Sequence, residues 1–186
     1  MGKNPFRGSA DETLTPAILK GRIAFYSNWI KELPEDIQIL DIAEPNPISQ
    51  SLQEKYRLNI VNTEGDLNFA DWTPIEQFQC VFCFEVIEHL QNPLFFLKEL
   101  RKRMVPEGQL FLTCPKATFR LLQMPDHFNE MDEYRLRTVF DIARDFEIVE
   151  FGETGSNYPW FIFWRGYRPL LRALFQKSFY LKAIAK

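Results

Sequence analysis

The stretch FQCVFCF, residues 78 to 84, constrains the fold of this chain most tightly. It is short, almost wholly apolar and rich in aromatic residues, so it reads as a buried strand. Cys80 and Cys83 give it the CxxC spacing of a redox pair or half a zinc site. Residues three apart on a strand point to opposite faces, so the two thiols diverge and read as core cysteines. The two histidines, His89 and His127, form no ligand pattern with them, and no metal site is expected.

The flanking segments alternate in period. Thr15-Pro16 starts a helix, cap followed by proline, and Ile18, Leu19, Ile23, Tyr26 and Ile30 recur at helical spacing up to Glu32. IQILDI reads as a strand, Ser49 caps a short helix to about Tyr56, and Leu58 to Val61 gives a second strand. Asn92-Pro93 starts a helix with Pro93, Leu97, Leu100 and Met104 on one face. VPEGQ then turns into the strand LFLTC. A helix from about Asp132 to Ala143 directs Leu136, Val139, Phe140 and Ala143 inward, and the strands FEIVEFG and SFYLKAIA follow. Strands alternating with helices argue for βαβ units and a parallel sheet, with the last two strands as an antiparallel hairpin. With 186 residues and no linker, one domain is expected over 1–186, with residues 1–13 as a loose leader.

Charge narrows the partners. The net charge of −3 argues against nucleic-acid binding. No carboxylate follows Glu153, whereas Arg165, Arg168, Arg172, Lys177, Lys182 and Lys186 do. Residues 158–177 combine this positive charge with Trp160, Phe161, Phe163, Trp164 and Tyr167, and a helix is expected near Pro169. Such a segment fits a lid, a peripheral membrane contact or packing against the sheet. The N-terminal residues contain no apolar core of signal-peptide type and no apolar run is long enough to span a bilayer, so a cytoplasmic location is expected.

From Phe84-Glu85-Val86-Ile87-Glu88-His89-Leu90 and Gln91-Asn92-Pro93 onward, the chain resembles the S-adenosylmethionine-dependent methyltransferases of the Rossmann-like class. It is most similar to the branch acting on small molecules and lipids. ILDI resembles the first-motif strand, and KELRKRMVPEGQLFLTCP the helix, turn and strand that follow the EH signature. DHFNEMDEYRLRTVFDIARDFEIVEF resembles the late helix and strand. The resemblance covers roughly residues 36 to 152. It implies an α/β, Rossmann-like three-layer sandwich, mostly parallel with an antiparallel C-terminal strand. The sixteen residues from 62 to 77 are too few for a helix, a strand and their loops, so the third strand is expected to be trimmed or absent.

The resemblance also implies a cofactor site, with one departure. Where the family's first motif has glycines, this chain has Ala43, Pro45 and Pro47. Two prolines give a stiff loop with fewer N–H donors. S-adenosylmethionine carries no phosphate, so a phosphate cradle is not required. Asp41, Glu44 and Asn46 are placed to serve its polar groups, beside Ala43; the alternative is a stiff surface turn. Glu64, about 20 residues past the first strand, stands where Rossmann-like folds hold ribose hydroxyls. Asp66 resembles the acid that meets the adenine amino group, and Leu67 flanks the base; ordinary turn chemistry is the alternative reading of this stretch. Phe84 and Glu85 end a buried strand, where open sheets place their clefts.

His127, in the loop after the strand LFLTC, is the candidate base, since histidine accepts a proton near neutral pH. A loop-anchoring hydrogen bond is its structural alternative. The expected activity is in-line methyl transfer from S-adenosylmethionine to a small-molecule or lipid-like acceptor, releasing S-adenosylhomocysteine. The alternative is a binding or scaffold protein that keeps the fold without productive cofactor binding.

Overall fold

The computed structural model describes residues 16–120, 124, 126–155 and 176–186. The leader, the cap at Thr15 and nearly all of the 158–177 segment, including its expected helix, lie outside the described residues. Among the described residues no helix is long and apolar enough to cross a membrane.

Six strands form one sheet: β1 (Gln38–Asp41), β2 (Asn59–Asn62), β3 (Phe78–Phe84), β4 (Met104–Pro115), β5 (Phe146–Gly155) and β6 (Lys177–Ala185). Their order is β2-β1-β3-β4-β6-β5. The first four are parallel, and β6 runs antiparallel between β4 and β5. Helices α1 (Pro16–Trp29) and α2 (Pro47–Tyr56) cover one face, α3 (Pro93–Lys102) and α4 (Glu133–Ala143) the other. This is the three-layer Rossmann-like sandwich, and no strand stands between β2 and β3 in sequence.

Strand alternation builds both cores. Cys80, Phe82 and Phe111 meet Tyr26, Ile30 and Leu52 on one face. Val81, Cys83, Leu110 and Leu112 meet Phe96, Leu97, Leu100, Leu136 and Phe140 on the other. Cys80 and Cys83 are thus buried on opposite faces, as their spacing requires. Each fully buried large apolar side chain of this set contributes roughly 1.5–3 kcal/mol.

Two boundaries differ from the sequence reading. Asn46, not Ser49, caps α2: its Oδ1 accepts from the Ile48 and Ser49 amides at 3.0 Å each, and Pro47 takes the first helical position. The VPEGQ turn is a bulge inside β4, which starts at Met104; register shifts there and Glu107 has φ 63°. Because Met104 is already strand, it leaves the α3 face it was expected to share.

The connection after β2 shows what replaces the missing strand. Trp72 is fully buried, stacked 6.2 Å from Phe96. Arg103, just past α3, is also buried, and its guanidinium lies 3.6 Å from the Trp72 ring centre. It donates to the carbonyls of Ala70, Trp72, Pro74 and Glu99 at 2.7–3.1 Å and pairs with the Glu99 carboxylate at 3.5 Å. One side chain therefore satisfies the backbone of a loop that no neighbouring strand hydrogen-bonds.

Candidate functional site

Because β1 to β4 are parallel, the loops that follow them open on one edge of the sheet. The crossover from β1 to β2 passes over one face through α2, and that from β3 to β4 over the opposite face through α3. Chain direction therefore divides between β1 and β3, which is where open α/β sheets place a ligand crevice, beyond the strand ends. Four segments leave this edge: residues 42–46, 63–68, 85–92 and, among the described residues, 116–120 and 126–131.

The first loop is braced by Asp41. Its buried Oδ2 accepts from Ser49 Oγ, from Asn46 Nδ2 at 3.2 Å and from Asn62 Nδ2 at 3.3 Å. Burial pushes this carboxyl up to about 6, against the three hydrogen bonds. Asn46 also donates to the Glu44 carbonyl at 3.1 Å. With its two cap bonds, its amide has reached its full hydrogen-bonding capacity. Asp41 and Asn46 thus shape the loop, whereas Ala43 is half-buried and Glu44 exposed. No residue from 42 to 47 has positive φ, so the loop does not need the freedom of glycine.

The second loop carries Glu64, whose backbone pairs with Thr73 through two 2.9 Å bonds. Its side chain is exposed and makes no hydrogen bond or ion pair among the described residues. Gly65, at φ 105°, lies so close to Trp72 that a Cβ would stand 3.1 Å from the Trp72 backbone. Asp66 Oδ1 accepts from the Asn68 backbone and side-chain amides at 2.9 Å each. This is the turn geometry that a short acid favours. Leu67 packs against the core beside it.

At the end of β3, Phe84 stacks on Tyr26 at 4.1 Å. Glu85 adopts φ 57°, donates its amide to the Thr113 carbonyl at 2.9 Å and pairs with Arg22 at 3.6 Å. A 3-10 turn, Ile87–His89, then buries Glu88 at 1% exposure, with Oε2 lacking any hydrogen-bond partner. Burial, reinforced by Glu85, holds the Glu88 carboxyl well above the usual carboxylate range.

His127 comes back onto this turn. The Asn129 amide donates to the Glu88 carbonyl at 2.9 Å, and Asn129 Nδ2 donates to the Leu90 carbonyl. The His89 and His127 rings meet edge to face, 4.7 Å apart. His127 Nδ1 lies 2.9 Å from Glu130 Oε1, and His89 Nδ1 lies 3.0 Å from the Asp126 carbonyl. Both of those oxygens are acceptors, so a neutral imidazole at either position carries its proton on Nδ1 and presents the Nε2 lone pair. Burial lowers the His89 pKa, and neighbouring His127 adds to that.

The sequence reading did not single out Glu130; its only signal was the three-residue spacing from His127. A separate cavity of about 340 Å³ lies between the starts of α3 and α4, and none of the proposed cofactor residues lines it.

The family model for a methyltransferase domain matches residues 22–150, more than half of the chain. We find no match among curated proteins. Solved structures align over most of the chain. A Bacillus halodurans C-125 protein taken for a methyltransferase has 16% identity and a TM-score of 0.63, covering 87% of this chain and 97% of its own. The Burkholderia thailandensis 1,6-didemethyltoxoflavin-N1-methyltransferase, with bound 1,6-didemethyltoxoflavin and S-adenosylhomocysteine, has 12% identity and a TM-score of 0.57, covering 91% and 79%. The [4+2]-cyclase SpnF has 12% identity and a TM-score of 0.62, covering 89% and 81%. At these identities the structures speak for the fold, while the family match covers both cores and the loops on the sheet edge. This chain belongs to the methyltransferase-domain family, in the Rossmann-like, class I superfamily of S-adenosylmethionine-dependent methyltransferases.

Proposed function

We propose that this protein transfers the methyl group of S-adenosylmethionine to a small-molecule acceptor, with the cofactor in the crevice between the ends of β1, β2 and β3. The observation that carries this is the placement of Glu64. It is an exposed, unengaged carboxylate just past β2, while the neighbouring polar groups Asp41, Asn46 and Asp66 are occupied in shaping their loops. A carboxylate there accepts from two vicinal ribose hydroxyls, as in other Rossmann-like folds. Leu67 offers an apolar wall for the base, and Ala43 and Glu44 present the loop edge to the amino-acid end.

When bound, the cofactor supplies an electrophilic methyl on a sulfonium. The chain's task is to bring a nucleophilic acceptor atom in line with it and to exclude water. As the acceptor forms its bond to the methyl carbon, the carbon–sulfur bond breaks and its electron pair stays on sulfur. An acceptor that loses a proton in this step needs a group to take it. His127 is oriented for that through Glu130, with Nε2 available. The Burkholderia structure, which holds a small aromatic substrate on a similar fold, supports a small-molecule acceptor.

Calorimetric titration with S-adenosylmethionine and S-adenosylhomocysteine tests the reading. Micromolar binding by the wild type, weakened about tenfold or more in Glu64→Ala, is expected for a hydrogen bond to a charged group. Absence of binding to either ligand at millimolar concentration would leave a fold kept for binding or scaffolding.

A further inference from the structure

We propose that Glu88, His89 and His127 form a binding site for a single divalent transition-metal cation. One donor atom from each lies within 4.8 Å of the other two. What sets this cluster apart from an ordinary polar contact is that it brings acceptors together. His89 Nε2, the lone-pair nitrogen of the neutral ring, stands 3.8 Å from Glu88 Oε1. Glu88 Oε2 is buried without a partner, and so is Oε2 of neighbouring Glu130. A buried oxygen left this way costs about 1–3 kcal/mol, and more when it is charged. A native structure gives such a group a water, an ion or a functional role.

The surrounding charge has the same sign. Glu85 and Glu130 both act on Glu88, and Arg22, which also faces it, is paired with Glu85 at 3.6 Å. The second shell of a metal site is also present. Glu130 and the Asp126 carbonyl hold the two Nδ1 protons, which orients each imidazole and directs Nε2 to the site. Two imidazoles and one carboxylate suit Zn²⁺, Mn²⁺, Co²⁺, Ni²⁺ or Fe²⁺ rather than Mg²⁺ or Ca²⁺. Tetrahedral coordination at about 2.1 Å places donors roughly 3.4 Å apart, so contraction by at most about 1.4 Å completes the shell and leaves a position open.

This site stands on its own geometry and needs no methyl transfer. If the methyl-transfer reading holds, the ion sharpens it. A cation at the end of β3 would coordinate an acceptor oxygen and make its proton easier to lose, which favours hydroxyl-bearing acceptors. His127 would then act on the acceptor through the ion instead of as a free base.

The test uses untagged, chelator-treated protein titrated with Co²⁺ alone and followed by visible d–d absorption, with Zn²⁺ competition against a chromogenic chelator. One equivalent should bind, with a thermal midpoint that rises with metal concentration. Glu88→Gln and His127→Ala should each weaken binding by more than 100-fold, and Glu130→Gln by about 10–100-fold. Circular dichroism identifies any variant that fails to fold, and the half-buried His127 keeps the test decisive if Glu88→Gln does not fold. No binding by folded wild type at millimolar metal, or undiminished binding in the folded variants, overturns the proposal. Failure of cofactor binding is read from a separate titration and leaves the metal result intact.

Discussion

Two buried acids at the same sheet edge, Asp41 and Glu88, have met opposite fates. Asp41 accepts from three donors contributed by the loop, by α2 and by β2. Glu88 keeps an oxygen with no donor among the described residues. Both carboxyls are raised by burial, so desolvation does not distinguish them. What does is the supply of donors: Asp41 is surrounded by hydroxyl and amide groups, whereas Glu88 has its own backbone amide, two imidazoles and neighbouring carboxylates around it. A saturated buried acid is architecture, and an unsaturated one leaves room for a water or an ion.

The comparison breaks most visibly where saturation is densest. Arg103 satisfies four carbonyls and pairs with buried Glu99. Arg103→Ala should cost about 3–5 kcal/mol in urea unfolding, because it leaves the loop carbonyls without their donor and the buried Glu99 carboxylate with Lys102 alone. A loss under about 1 kcal/mol would mean that water enters and takes over those bonds.

A smaller effect follows pH. Asp41 titrates near 6 in the folded protein and near 3.8 in the unfolded chain. Between those values the folded state holds more protons, so this group's contribution to stability falls as pH rises. The loss is complete above about pH 6 and amounts to about 3 kcal/mol at most. Asp41→Asn should flatten that part of the urea stability profile between pH 4 and pH 6. An unchanged slope would assign it to another group.

Smallest in size, and opposite in sign, is the effect expected at Glu88. Glu88→Gln places an amide donor among acceptors and should stabilise the metal-free protein by about 1 kcal/mol, while removing the cation site. Destabilisation similar to that of Arg103→Ala would show that Glu88 is as fully engaged as Asp41.

Much of the architecture was legible in the sequence because it depends on local period. FQCVFCF had to be a two-faced buried strand, and residues 62–77 were too few to hold a further crossover. Where the reading missed, several residues competed for one role. Asn46 outbid Ser49 as the cap, since Pro47 had already fixed the helix start. The PEG turn was absorbed into β4 as a bulge.

The site was less legible because it is built by long-range contacts. His89 and His127 meet only because Asn129 fastens a distant loop to the Glu88 turn. Asn62 reaches Asp41 only because β2 pairs with β1 in the observed register. No spacing rule encodes either meeting.

The shortened connection has a consequence at the other end of the sheet. Without a third strand beyond it, β2 becomes an edge with one row of backbone groups facing outward. Long, apolar edges invite pairing with other chains and, through it, aggregation. This edge is only four residues long and carries asparagine at both ends, Asn59 and Asn62, a residue type depleted in strands. Losing a strand therefore did not leave a sticky margin, and the sheet ends in a segment too short and too polar to recruit a neighbour.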